Sequence, residues 1–281
     1  MPVRFKPALF CFLTLLFSGC YDFMKIMQRE KALFLKLHPD ASRFAPWKTD
    51  SVHYVAAGNP DAQAVVFVHG SPGSWDAYAP LLNDSLLLRR FFLISYDRPG
   101  FGKTANGKPE PSLAQQADAL AAVLKHAGVD SNIILLGHSW GGPIIVQFAG
   151  TYPGRCAGLV NVAGSIDPAL EKRRWYNKAA KWKVVKWISP VDLNTSNDEL
   201  WNAKSELEKQ AGFWPQIPKM ITVQGLKDNL VPAGNADFAD RMLGKERSIV
   251  YRMADEGHFV LWYKPDLMRK AIFEASVKSR L

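Results

Sequence analysis

From Ser51 onward the chain alternates short, apolar, β-branched runs with stretches that carry a helical rhythm, and few folds tolerate that alternation. The runs are Val65–Val68, Phe91–Ser95, Ile133–Leu136, Leu159–Val162, Met220–Val223 and Ile249–Tyr251. The clearest helical stretch is Ser112–His126, where Leu113, Ala117, Leu120, Ala121 and Leu124 recur on one face. Strands separated by helices pair in parallel through right-handed crossovers, and the helices cover both faces of the sheet. The predicted class is α/β, a mostly parallel, doubly wound sheet. Such sheets bind ligands at the carboxyl ends of their strands, so the residues directly after each run carry the information. Composition agrees: 281 residues, 48% hydrophobic and 22% charged, suit one large core and weigh against disorder or a multi-span membrane protein. The three cysteines, Cys11, Cys20 and Cys156, offer neither a disulfide scaffold nor a Cys-rich zinc site, and no H-E-x-x-H pairing occurs.

Behind Ile133–Leu136 stands Gly137-His138-Ser139-Trp140-Gly141-Gly142. A G-x-S-x-G between a buried strand and a helix start is the setting of a nucleophile elbow, whose glycines permit a tight turn that exposes the serine hydroxyl. Pro143 suits the first turn of the next helix, and that helix points its positive end at the site. Behind Val65–Val68 comes His69-Gly70-Ser71-Pro72-Gly73, and behind the next strand Asp97-Arg98-Pro99-Gly100-Phe101-Gly102-Lys103-Thr104. Later in the chain, Gly225-Leu226-Lys227-Asp228 follows one run and Glu256-Gly257-His258 follows the last. A triad in the order Ser…Asp…His needs its acid and base there. On the residues alone, Asp167 and Asp255 compete with Asp228 for the acid. His38, His53, His126 and His138 are weaker bases by position, and His69 and the Asp97-Arg98 pair read as braces of their turns.

With these motifs in this order the chain resembles the α/β-hydrolase family over nearly all of Ser51–Leu281. The resemblance implies that fold, with a small helical cap inserted after the sixth strand. It also implies Ser139 as nucleophile, His258 as base, Asp228 as the acid that orients the imidazole, and the backbone N–H groups of Ser71 and Trp140 as the oxyanion hole. No cofactor is expected. Haloalkane dehalogenases and epoxide hydrolases of this fold carry Asp at the elbow. Serine implies instead an acyl-enzyme, so the expected reaction is hydrolysis of a carboxylic ester, a small-molecule ester or acyl compound being the substrate. The alternatives are a proline-iminopeptidase-like or other amide or C–C hydrolase on the same triad, and a catalytically inactive, membrane-anchored binding protein. Against the peptidase stands Ser71, where that group usually has Gly.

Between Gly164 and Met220 the alternation breaks. Glu171–Ile188 is basic and rich in tryptophan, and Trp175, Ala179, Trp182 and Val185 share a helical face. A second helical piece, Asp198–Gln210, leads to Phe213-Trp214-Pro215. By the resemblance this insert is a cap whose apolar face roofs the site, with Trp75, Trp175 and Trp182 expected in the substrate pocket. A basic helix bearing Trp also reads as a membrane-surface element.

The first residues look like an address. Arg4 and Lys6 precede an apolar run, Ala8–Phe17, that is too short to span a bilayer, and Ser18-Gly19-Cys20 follows. Small residues before a cysteine resemble the lipobox of bacterial lipoproteins, although Phe17 replaces the usual Leu. The expectation is lipidation at Cys20 and a lipid-anchored location in the bacterial cell envelope, or secretion to the periplasm. The expected layout is residues 1–19 as signal peptide, 20–50 as tether and flanking segment, 51–164 and 216–281 as hydrolase core, and 165–215 as cap. The net charge of +9 comes with no nucleic-acid-reading motif, so no nucleic-acid partner is expected.

Overall fold

The computed structural model describes residues 24–173 and 175–276. Each of the six apolar runs becomes a strand within a few residues of its predicted bounds. They are β3 (Ala64–Val68), β4 (Phe92–Tyr96), β5 (Ile133–His138), β6 (Cys156–Val162), β7 (Met220–Gly225) and β8 (Ser248–Met253), preceded by β1 (Ser42–Trp47) and β2 (Asp50–Gly58). All eight form one sheet in the order β1-β2-β4-β3-β5-β6-β7-β8. From β4 to β8 every pairing is parallel; β1 with β2 and β2 with β4 are antiparallel. The chain therefore has the mostly parallel α/β architecture that the alternation predicts.

Side chains alternate across each strand, so both faces must be covered. Val66, Val68, Ile133 and Leu135 enter one core, with the helices Leu113–His126 and Gly141–Thr151. Val65, Phe67, Ile134 and Leu136 enter the other, with helix Pro265–Ser276. Helix Leu113–His126 starts where Ser112 accepts a hydrogen bond from Gln115 N, an N-cap that satisfies an otherwise orphaned donor.

Two expectations are corrected. Ser42–Trp47, assigned to the flanking segment, is an edge strand in register with β2 from Ser42↔Val55 to Trp47↔Asp50. Only Ala45 of it is buried, and it carries Pro46, which an edge position tolerates because no ladder donor is lost. Helix 24–37 packs along the flank: Phe34 is fully buried against Trp75, ring centroids 5.5 Å apart. The second correction concerns the insert. The single amphipathic helix expected over Glu171–Ile188 is two short helices, Trp175–Ala179 and Lys183–Ile188, separated at Trp182, whose ψ of 134° is extended. Helix Val191–Glu199 and a broken helical stretch to Glu208 complete the insert. Cys20, where a lipid is expected, lies outside the described residues. Among the described residues no helix is long and apolar enough to cross a membrane.

Candidate active site

Strand β5 ends at the elbow. Ser139 has φ 54°, in the left-handed region, and the turn is held by a Ser139 N–H bond to Val162 O at 3.0 Å and a Gly142 N–H bond to Ser139 O at 3.0 Å. Space explains two of the flanking glycines. A Cβ on Gly137 would collide with the Gly141 carbonyl, and one on Gly141 with the Val68 carbonyl.

Strands β7 and β8 end beside this elbow and bring Asp228 and His258 together. His258 Nδ1 lies 2.8 Å from Asp228 Oδ2. A carboxylate only accepts, so Nδ1 carries the proton and Nε2 is left with its lone pair. Asp228 Oδ1 accepts from Leu230 N and Val231 N, each at 2.8 Å. Burial opposes ionisation of Asp228, but its bond to His258 and these two N–H groups outweigh burial and hold its carboxyl below the usual carboxylate range. The rival acids are elsewhere: Asp167 pairs with Arg241 at 3.4 Å, and Asp255 is exposed and paired with Lys227 at 2.9 Å.

Ser139 and His258 both line a cavity of about 790 Å³, together with Ser71 and Trp140. That volume suits a small-molecule site. Among the described residues no hydrogen bond uses the Ser71 or the Trp140 backbone N–H, so both donors remain available to a ligand. The walls are apolar at Leu193, Leu200, Trp201 and Val231, with Lys172 and Arg173 also lining the space. The three tryptophans expected in the pocket are not among the residues that line it. Trp75 is buried in the core beneath, its backbone N–H donating to Asp97 Oδ1 at 2.8 Å. Trp175 and Trp182 are exposed on the outside of the insert, and the helix they were expected to share is broken at Trp182. Trp140 and Trp201 are the indoles at the cavity.

Two arrangements were not visible in the sequence. His138 Nε2 donates to the His258 carbonyl at 3.0 Å, and the two rings lie 4.8 Å apart. Burial, with repulsion from the His258 ring whenever that ring carries a proton on both nitrogens, pushes His138 down to about 3, so it stays neutral and braces the loop. The second is a buried network. Glu199, at the end of an insert helix, pairs with Arg98 with both side chains fully buried. The same carboxylate accepts from Gln116 Nε2 at 2.9 Å and from the Ser71 hydroxyl at 2.5 Å. Arg98 Nη2 donates to Gly70 O and Nε to His69 O, each at 2.9 Å. Asp97 accepts from Trp75 N, Lys103 N and His53 Nδ1. Asp97 and Arg98 thus brace turns, and Glu199 fastens the insert to the loop that carries Ser71.

Fold and strand-end residues define the class: the chain has the α/β-hydrolase fold. A family model described as alpha/beta hydrolase fold matches residues 63–187. The epoxide hydrolase B of Mycobacterium tuberculosis is 28% identical over 116 residues, 40% of this chain and 32% of that protein. The match therefore spans about a third of that relative's length. A membrane phospholipase A of bacterial origin superposes with TM-score 0.66 at 16% identity, covering 96% of this chain and 99% of that one. An esterase from Rhodococcus sp. ECU1013 gives TM-score 0.60 at 20% identity, with 84% and 99% coverage. At these identities the structural likeness speaks for the fold.

Proposed function

We propose that this chain is a serine hydrolase that cleaves a carboxylic ester through an acyl-enzyme intermediate. The observation that carries the reading is the 2.8 Å pair of His258 Nδ1 and Asp228, next to a serine held at positive φ on the same cavity. His258 Nε2 takes the Ser139 hydroxyl proton as Oγ attacks the ester carbonyl. The carbonyl oxygen becomes an alkoxide between the Ser71 and Trp140 N–H groups; one such donor is worth roughly 10²–10³ in rate. The intermediate then collapses and expels the alcohol, which carries away the proton from the imidazolium. Water repeats the sequence on the acyl-enzyme and releases the carboxylic acid. Asp228 stays ionised throughout, fixing the imidazole tautomer and stabilising the imidazolium.

Ser139 stands where epoxide-opening members of the fold place Asp, which supports the acyl route over an alkyl-enzyme. Leu193, Leu200, Trp201 and Val231 on the cavity wall offer an acyl chain apolar contact. The reading includes an envelope location with a lipid on Cys20, on the strength of Ser18-Gly19-Cys20. A panel of p-nitrophenyl esters from acetate to decanoate tests the reaction. The expected result is turnover by the wild-type chain and a loss of kcat of about 10⁴-fold or more in Ser139→Ala. Absence of turnover across the panel, or equal rates in the variant, contradicts the reading.

A further inference from the structure

The segment Lys172–Val191 contains seven Lys or Arg and no Asp or Glu. Its described residues sort into two sets. Lys172, Arg173, Asn177, Ala180 and Ser189 line the cavity that holds Ser139 and His258. Trp175, Trp182, Trp187 and Ile188 turn to solvent, at 79%, 67%, 86% and 67% exposure. Helix Lys183–Ile188 buries none of its residues, yet Val184, Trp187 and Ile188 stand at i, i+3 and i+4, the spacing of a face that ordinarily packs on something. One exposed apolar side chain needs no explanation. Three exposed tryptophans beside exposed Val184 and Ile188, within one cationic segment at the rim of a cavity, do.

The charge around these residues says what covers them. Lys178 and Lys183 are exposed. Lys181 and Lys186 are held by Asp198 at 3.1 and 2.7 Å, and Lys181 sits 4.1 Å over the Trp201 ring. Indoles favour the headgroup boundary of a bilayer, and lysines beside them meet lipid phosphates. We infer that this face of the insert docks on a bilayer surface bearing anionic headgroups, which sets the cavity mouth against the lipid. The inference stands on exposure and charge, whether or not the triad turns over esters.

Hydrogen exchange of the full chain tests it locally, because an apolar N-terminus binding elsewhere does not protect these amides. Vesicles of 70% phosphatidylcholine and 30% phosphatidylglycerol are expected to slow exchange across residues 183–191 several-fold, and phosphatidylcholine vesicles much less. Trp187→Ala with Lys183→Glu is expected to remove that protection, while exchange in β5 and β6 stays as in the wild type. Each lysine contributes on the order of fivefold to partitioning on a strongly anionic surface. Sedimentation with anionic vesicles without protection of residues 183–191 would overturn the inference. So would equal protection by both vesicle types, or protection that grows with protein concentration alone, which would assign the face to a second copy of the chain.

Discussion

A non-glycine residue at φ 54° costs on the order of 1–3 kcal/mol, and Ser139 is held there by bonds from β6 and the following helix. The residues at this site that could be read from the sequence share a property: their neighbours in the chain already constrain them. Ser139 lies between close-approach glycines, and Asp228 and His258 stand in turns after apolar runs, although Asp167 does so too and the family resemblance was needed to prefer Asp228. His138 and Glu199 had no such signal, since their partners are set by tertiary approach; Arg98 is 101 positions from Glu199. The buried histidines have a consequence for pH. Burial drives His69 well below its ordinary 6.5, with the Arg98 charge adding to the effect, and drives His138 to about 3. An unfolded chain protonates both near 6.5, and the fold refuses those protons until the pH is far lower. Stability from this source is therefore complete above about pH 6.5 and is lost as the pH falls toward the folded values, at up to about 1.4 kcal/mol per pH unit for each group. Thermal melts between pH 7.5 and 4.5 should show Tm level down to about pH 6.5 and falling below it, with a shallower fall in His138→Gln; parallel slopes for the two proteins would refute the assignment to His138.

Among elements, strands and long helices were legible because their periodicities are set by burial on a regular face. Edge strand β1 was not, because a strand with one buried residue and a proline has almost no period to read. The insert misled for a related reason. Trp175, Trp182 and Val185 keep a helical spacing, but the helix breaks at Trp182 and neither Trp175 nor Trp182 faces the cavity. Ala203, Leu207 and Trp214 pack the later part of this insert into one of the two cores, while its middle is joined to the core by a polar clamp. Glu199 reaches Arg98, Gln116 and Ser71 from the end of helix Val191–Glu199. Removing one partner of a buried pair leaves the other charge uncompensated, typically a loss of 3–5 kcal/mol. Urea unfolding of Glu199→Ala should show a loss of about that size, and Arg98→Met with Glu199→Leu should regain much of it. A loss within about 0.5 kcal/mol for the single variant would mean that the pair does not anchor the insert.

Across the whole molecule, the parallel sheet from β4 to β8 delivers residues distant in sequence to one edge. Ser71 follows β3, Ser139 follows β5, Asp228 follows β7 and His258 follows β8, so four strand ends converge on one site. The rule that ligands bind at carboxyl strand ends made that edge readable, whereas the outward face of the insert depended on packing that no local pattern encodes. The proposed activation of Ser139 by this convergence is read by covalent labelling. Intact mass after treatment with a fluorophosphonate should show a single adduct, absent in Ser139→Ala and formed far more slowly in Asp228→Asn. The Cys156 thiol does not compete, because burial pushes it up to about 12 and leaves almost no thiolate. No adduct on the folded wild-type chain, or the same adduct in Ser139→Ala, would contradict an activated serine and leave the chain a hydrolase fold without hydrolase chemistry.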